Sequence, residues 1–353
     1  MYSLSLSHLI VRRRPEHDPE IFALYAEAFG EDRLERSRAR WQWQFADNPN
    51  NGDDGPVIWL AVEGDRVLGQ MATMPFPMWW GDREVHASAG MDCFVRKDAQ
   101  GRGLGVELSQ VWADHVDVAL GLGLTPASHP MLRKTFTDVG PVPAYVRPLD
   151  AASVARRRWG RVAGSAAGPV LDLGLRLFSR RIAPAAGIEV RDVAAVTEEY
   201  TDLWERARRS FATAVRRDAR YLAWKYLACP FRAYRFLEAR THGALSGYLV
   251  WRPEGDPSFP RGAIVDLFCD TGDAAVQDAL IDAAVEAFRQ QRFARAETYS
   301  MCAAFGRAFR RHGFWTGQTA IQYCVAHRQV SREPLSRTDA WHLMLGDGDL
   351  DRG

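Results

Sequence analysis

The sequence predicts an α+β chain of mixed α/β character, built from two similar halves. Three observations carry that expectation. Between Asp92 and Gly105 an apolar run feeds a glycine-rich turn that opens a helix. Strand and helix periods follow the same order in both halves. A short motif also recurs: Trp43-Gln44-Phe45-Ala46-Asp47-Asn48-Pro49 is matched by Trp224-Lys225-Tyr226-Leu227-Ala228-Cys229-Pro230. Both read Trp-polar-aromatic-x-x-x-Pro, and internal repetition is strong evidence of organisation in a single sequence.

The first half opens with a strand over Leu4 to Val11. Asp18 to Phe29 carries Ile21, Phe22, Leu24, Tyr25 and Phe29 at helical spacing and stops at Gly30. Leu34 to Phe45 is a second helix, Arg-rich outside and Trp-rich inside, ended by Asn48-Pro49-Asn50-Asn51-Gly52. Val57 to Val62 is a strand, and Val67 to Phe76 is another, broken at Pro75 and Pro77. Val85 to Val95 is the strand entering the glycine turn. Gly103 to Leu120 is the helix leaving it, with Leu104, Leu108, Val111, Trp112, His115, Val116 and Ala119 on one stripe. A short strand over Gly121 to Thr125 follows, then a helix over Pro130 to Val139 capped by Gly140, and a last strand over Val142 to Val146.

Residues 151–186 differ in composition. Arg156-Arg157-Arg158 precedes a Gly/Ala/Ser-rich piece, and a short apolar helix spans Val170 to Phe178. Its polar face is thin, which suits an interdomain connector better than a helix lying in a membrane surface. From Ile188 the pattern begins again: strand, two helices, three strands, helix, strand, helix, and a final strand over Gln318 to His327. Phe136-Thr137-Asp138-Val139-Gly140 and Phe309-Arg310-Arg311-His312-Gly313 occupy matching places. The expected division is therefore 1–150, a connector over 151–186, 187–330, and a polar tail over 331–353 with Trp341, Leu343 and Met344 as docking residues.

Bulk properties narrow the function. The chain has 353 residues, 47% apolar and 25% charged, enough for two cores. A formal net charge of +1 argues against electrostatic capture of nucleic acid. No apolar run reaches membrane-spanning length. Five scattered cysteines (Cys93, Cys229, Cys269, Cys302, Cys324) without Cys-x-x-Cys pairing suit a reducing cytoplasm and argue against a structural metal.

The glycine turn is an anion cradle. First-turn amides of a helix have no intrahelical partner, and the helix dipole favours negative charge there. The dinucleotide fingerprint and the Walker loop both fit poorly, because the glycines fall at Gly101, Gly103 and Gly105 and no Gly-Lys-Ser/Thr follows. Gln100-Gly101-Arg102-Gly103-Leu104-Gly105 instead resembles the Gln/Arg-x-x-Gly-x-Gly/Ala motif of the GNAT superfamily of acyl-CoA-dependent N-acetyltransferases. The element order of residues 1–150 resembles that family too.

The resemblance implies two GNAT-like domains, each a mixed, mostly antiparallel sheet flanked by helices. It implies an acyl-CoA site built from the strand at Cys93, Phe94 and Val95 and the loop Gln100, Gly101, Arg102, Gly103, Leu104 and Gly105. It also implies direct transfer of an acetyl group from acetyl-CoA to the amine of a small molecule, with homodimerisation left open. The second half has Cys269-Asp270-Thr271-Gly272-Asp273-Ala274 at the matching place, where two carboxylates would repel a pyrophosphate. Asp273 there reads as a helix N-cap or a first-turn acid.

Many family members place a tyrosine general acid in a Leu-Tyr-x-x-x-Gly-Phe pattern. Here Thr135-Phe136-Thr137-Asp138-Val139-Gly140-Pro141 lacks the hydroxyl. Asp92 as base, His129 near the thioester and Tyr145 as a replacement hydroxyl are the candidate catalytic residues. Each has a plain structural reading beside it: an Arg-paired carboxylate, a loop histidine and a core tyrosine. Cys93 reads as buried packing rather than a nucleophile. Trp41, Trp43, Trp79 and Trp80 fit an acceptor lining or the core. Two alternatives stand beside catalysis. One is a non-catalytic acyl-CoA-binding or regulatory module, motivated by the missing tyrosine. The other is an aminoacyl transferase using charged tRNA, which would need no cradle and is disfavoured by the intact loop.

Overall fold

The computed structural model describes residues 8–159, 187–317, 322–328 and 330–348. The apolar helix expected over Val170 to Phe178 and the start of the first strand lie outside them. The chain forms two compact units, each with one mixed sheet flanked by helices, and the expected fold class holds. Unit 1 runs to Gly140 and adds Ala228–Pro230 and Ile321–Arg332; unit 2 takes Pro141–Leu227, Phe231–Ala320 and Glu333–Gly353.

In unit 1 the elements are β1 (Leu9–Arg12), α1 (Asp18–Phe29), α2 (Leu34–Trp41), β2 (Ile58–Glu63), β3 (Arg66–Trp80), β4 (Arg83–Val95), α3 (Leu104–Asp114), β5 (Val118–Leu122), α4 (Ser128–Leu132) and β6 (Thr137–Pro141). The sheet order is β1-β2-β3-β4-β5-β15-β6, with β15 the late strand Gln322–His327. β1–β2, β2–β3, β3–β4 and β5–β15 pair antiparallel, and β4–β5 pairs parallel. The apolar stripe of α3 (Leu104, Leu108, Trp112) packs with Trp59, Leu68, Met71, Ala119, Leu132, Phe136 and Cys324 in one core. Ile21, Leu24 and Tyr25 of α1 are also buried, as their helical spacing predicts.

Three expectations are corrected here. Pro75 and Pro77 do not break β3, which runs through both to Trp80. Thr73 N–H donates to the Val57 carbonyl at 3.1 Å, and by the two-residue period Pro75 faces the same side, away from β4, where its carbonyl accepts from the Asn48 amide at 3.2 Å. Pro77 faces the same way by the two-residue period, so neither missing N–H is asked of the β4 ladder. The helix after the glycine turn ends at Asp114 rather than Leu120, and Val118–Leu122 is a strand, a short apolar run that either period fits. The helix expected over Pro130 to Val139 is α4 alone. Thr137–Pro141 is extended, because alternating Thr137 and Val139 sit better in a strand.

Unit 2 contains β7 (Ala144–Pro148), α5 (Ala151–Trp159), β8 (Ile188–Val193), α6 (Glu199–Ala207), β9 (Thr213–Val215), α7 (Ala219–Leu222), β10 (Arg235–Thr241), β11 (Ala244–Glu254), β12 (Arg261–Cys269), α8 (Ala274–Gln290), β13 (Arg295–Tyr299), α9 (Ala303–Arg311), β14 (Trp315–Gly317) and β16 (Trp341–His342). Its main sheet has the order β14-β7-β13-β12-β11-β10-β8. The strand that closes each half in sequence is thus built into the sheet of the other unit: β7 pairs β13 and β14, and β15 pairs β5. The repeated Trp motif has a structural counterpart, since Gln42–Ala46 and Ala223–Leu227 both form a π-helical turn. Asp273 caps α8, accepting from the Val276 amide at 3.0 Å as the sequence suggests. Among the described residues no helix is long and apolar enough to cross a membrane.

Candidate functional site

The site begins with a defect in β4. Gly90 faces Thr73 and Cys93 faces Met71, so Met91 and Asp92 together oppose Ala72. Such a bulge bends a strand and increases its twist. The parallel ladder to β5 holds Ala87↔Val118, Ser88↔Ala119 and Ala89↔Leu120, and it ends there. β4 continues to Val95. The two strands therefore splay, and the edge of β4 at Cys93, Phe94 and Val95 lines the opening.

The splayed strand is fixed from both faces. Phe94 packs edge-on against Tyr25 and Phe29 of α1, with ring centroids 5.5 and 5.1 Å away. Cys93 and Val95 turn to the α3 core. Trp112 of α3 lies against Gly90: a Cβ there would sit 2.5 Å from the indole ring. The same indole N–H donates to Ser88 Oγ at 2.7 Å. Arg96, just past β4, donates from Nε to the Val67 carbonyl and reaches Glu20 and Glu27 of α1 at 3.0 and 3.1 Å. Burial, and then Asp92, push the Cys93 thiol up to about 12, which suits packing rather than nucleophilic attack.

The cradle follows. Gly101 and Gly103 take φ of +79° and +86°, a region that favours glycine. Gly103 is the N-cap of α3, and no side chain caps that helix. Gln100 turns back, its Nε2 donating to the Val95 carbonyl at 3.1 Å, which ties the loop to the strand end. Arg102 lies 3.2 Å from Glu63 Oε1. Gly105 approaches Met131 of α4 so closely that a Cβ would be 2.8 Å from its sulfur. Uncapped first-turn amides beside a splayed strand edge are what a diphosphate with an extended arm requires. In unit 2 the matching turn is shorter, running from Cys269 to Asp273, and its donors are engaged. Gly272 N–H donates to Asp270 at 2.8 Å, and Val276 N–H to Asp273.

The candidate catalytic residues fall in three places. Asp92 is buried and held as an ion pair. Arg40 Nη2 bonds one carboxylate oxygen, Arg40 Nη1 lies 3.3 Å from the other, and Tyr25 Oη donates at 2.5 Å. Burial first, and then Asp92, raise the Tyr25 hydroxyl well above its usual range, so it stays a donor. His129 stands at the start of α4, with Nε2 3.1 Å from Asp138 Oδ2. Tyr145 lies on β7 in unit 2, where its ring is tilted against Phe309 at 5.5 Å and its hydroxyl abuts Gly306. Phe136, at the place of the family tyrosine, is buried against Trp112.

Sequence reasoning missed Arg40, Tyr25, Asp138 and Cys324. His129, Asp138 and Cys324 bring a nitrogen, an oxygen and a sulfur within 4.8 Å of one another. Arg133 Nε lies 3.1 Å from the same Asp138 oxygen, so a positive charge already serves that carboxylate.

No family model matches the chain, and no curated protein matches it by sequence. Solved structures do match. A GCN5-related N-acetyltransferase from Anabaena variabilis ATCC 29413 superposes with a TM-score of 0.63 at 11% identity, over 90% of this chain and 72% of that one. A probable N-acyltransferase from Enterococcus faecalis V583 gives 0.61 at 12% identity, over 91% and 72%. Saccharomyces cerevisiae N-myristoyltransferase with bound myristoyl-CoA gives 0.55 at 12% identity, over 94% and 85%. At such identities the likeness is one of fold, and it spans nearly the whole chain: this protein has the GNAT fold, shared with GCN5-related N-acetyltransferases and N-myristoyltransferases.

Proposed function

We propose that the chain is an acyl-CoA-dependent N-acyltransferase whose one carrier site is in unit 1. The observation that carries this reading is the pairing of an uncapped, glycine-opened α3 with a β4 edge splayed from β5 by a bulge. The amides at Gly103, Leu104 and Gly105 would hold the diphosphate, and the backbone at Phe94 and Val95 would hold the thioester arm and polarise its carbonyl. The acyl group passes directly to the amine, which loses its proton as the C–N bond forms, while the C–S bond breaks and the thiolate is reprotonated. Holding both reactants in line supplies much of the rate.

Proton transfer is assigned to His129, oriented by Asp138. Asp92, committed to Arg40 and Tyr25, serves to hold β4 in shape. Tyr145 lies in unit 2 and is given no step. The acyl group is taken as acetyl and the acceptor as a small-molecule amine, following the family resemblance. Titration of the full chain with CoA should give one site. Acetyl-CoA with an amine panel should release CoA, and His129→Asn should slow release by about a hundredfold or more without changing CoA affinity. The second reading, carrier binding without turnover, is favoured by buried Phe136 in place of the tyrosine. It would be established by saturable binding with no release across a broad panel.

A further inference from the structure

The opening that unit 1 presents has a counterpart in unit 2, and the chain fills it with its own segment. β12 and β13 keep three parallel pairs, Arg261↔Arg295, Gly262↔Ala296 and Ala263↔Glu297. Two residues past the last pair β12 bulges at Val265, between Ile264↔Trp251 and Asp266↔Val250. The strand then runs on to Cys269. In unit 1 the corresponding residues are Ala89 for the last pair and Met91 and Asp92 for the bulge. The geometry repeats, with a buried aspartate in the bulge of unit 1 (Asp92) and just after that of unit 2 (Asp266).

Residues 341–347 lie along the unit 2 opening and are all buried. Trp341 and His342 pair in parallel with Thr213 and Ala214 of β9. His342 Nε2 bonds the Leu267 carbonyl of β12 at 2.8 Å. From the β13 side, Met301 N–H donates to the Leu343 carbonyl at 3.1 Å and Ser300 bridges to Met344. The His342 ring sits among Phe211, Phe268 and Phe305. A Cβ on Gly346 would be 2.3 Å from Tyr226 Oη and 3.1 Å from the Val265 carbonyl, so only glycine passes that point. Asp347 accepts from Arg217 Nη2 at 2.5 Å.

These contacts have the form of peptide recognition. Backbone bonds engage strand edges, side chains enter apolar pockets, and a carboxylate meets a buried guanidinium. The anchor is also separable from the unit's own charge balance. Arg217 Nε lies 3.2 Å from Asp266 Oδ2, and Tyr226 and Tyr248 donate to that same oxygen at 3.2 and 3.1 Å. Withdrawing Asp347 therefore leaves Arg217 paired rather than stranded.

We propose that the opening between β12 and β13 is a peptide-binding slot, and that residues 341–348 are its resident ligand, seated where the matching opening of unit 1 would take a thioester arm. The proposal does not depend on what unit 1 binds. The test keeps the full chain and inserts a protease site between Arg332 and Glu333, so that the folded protein is cut once. Fluorescent peptide 341–348 is then offered in excess. The native peptide should exchange for the cut fragment, and native gel filtration should show it bound to an otherwise folded chain. The Asp347→Ala peptide should bind roughly tenfold or more weakly, the cost of one charge-assisted hydrogen bond. The Gly346→Val peptide should not bind. Two results would overturn the proposal: a fragment that leaves only with loss of the whole unit's circular dichroism, which makes it core rather than ligand, or a Gly346→Val peptide that exchanges as well as the native one.

Discussion

Replacing Gly103 by aspartate isolates the electrostatic part of the cradle. The position has room, since a Cβ there would meet only Glu107 Oε1, at 3.9 Å. Its φ of +86° strains any side chain, but Asp and Asn bear such φ better than other residues and bear it alike. Asparagine therefore carries the strain without the charge. A carboxylate about 5 Å from one charge of a diphosphate costs about 3 kcal/mol at an effective dielectric near 20. That is about a hundredfold in affinity. The loss should shrink with added salt, because exposed charges are screened over about 8 Å at physiological ionic strength. Isothermal titration of CoA into the Gly103→Asp and Gly103→Asn chains, at two salt concentrations, measures all of this. Equal affinities for the two variants would remove charge from the account. Unchanged affinity in both would mean that the first turn of α3 does not hold the carrier.

Other consequences follow from the packing. Asp92→Asn removes the carboxylate charge that Arg40 and Tyr25 bond; breaking such a pair costs about 3 kcal/mol, and a melting temperature lower by roughly 5–10 °C is expected. An unchanged melting temperature would mean that the pair carries no stability. Gly90→Ala drives a methyl into the Trp112 ring, and overpacking of this kind costs about 1–3 kcal/mol; urea unfolding with a shifted midpoint and constant slope reads it. Stability should also fall in acid through His342. Burial, and then Arg217, push its pKa down from 6.5 to about 3, so the unfolded chain takes up the proton first. Stability is then full above about pH 6.5 and declines as pH drops toward 3, and His342→Gln should flatten that part of the profile.

The period of apolar residues decided most of the fold. The stripe on α1, the alternation along β4 and the glycines at the head of α3 each have a local physical cause within a few residues. The strand exchange has none. Ala144–Pro148 and Gln322–His327 encode extended, half-buried backbone, and nothing in either segment names the sheet that will accept it. The glycine turn at the head of α3 was legible for the same local reason as the helices, and the clamp on Asp92 was not. Tyr25 and Arg40 lie 67 and 52 residues away in the chain, and neither is marked by spacing. One signal was available: Asp92-Cys93-Phe94-Val95 and Asp266-Leu267-Phe268-Cys269 place an aspartate at the same distance from the end of corresponding strands. The pairing of His129 with Asp138 was least legible, because Asp138 lies on a stretch read as helix that folds as strand.

The two units show how little separates the sheet for which a carrier site is proposed from the one for which none is. Both carry three parallel pairs, a bulge, and a buried aspartate held by an arginine and a tyrosine. The backbone opening is therefore common to both and cannot by itself determine what enters. The difference lies at the helix start and in the opening. Unit 1 leaves α3 uncapped behind Gly103, whereas unit 2 closes α8 with Asp273 and shortens the turn. A cap of that kind satisfies the donors that an anion needs and adds a negative charge beside them. With the diphosphate excluded, the splayed edges of β12 and β13 would still expose backbone groups that are costly to leave unpaired. The segment 341–348 meets that need with the His342 side chain at β12 and with backbone of its own just past β13. On this argument the capped helix and the resident segment are two halves of one structural solution, and restoring a glycine at Asp273 without displacing the segment should not create a second carrier site.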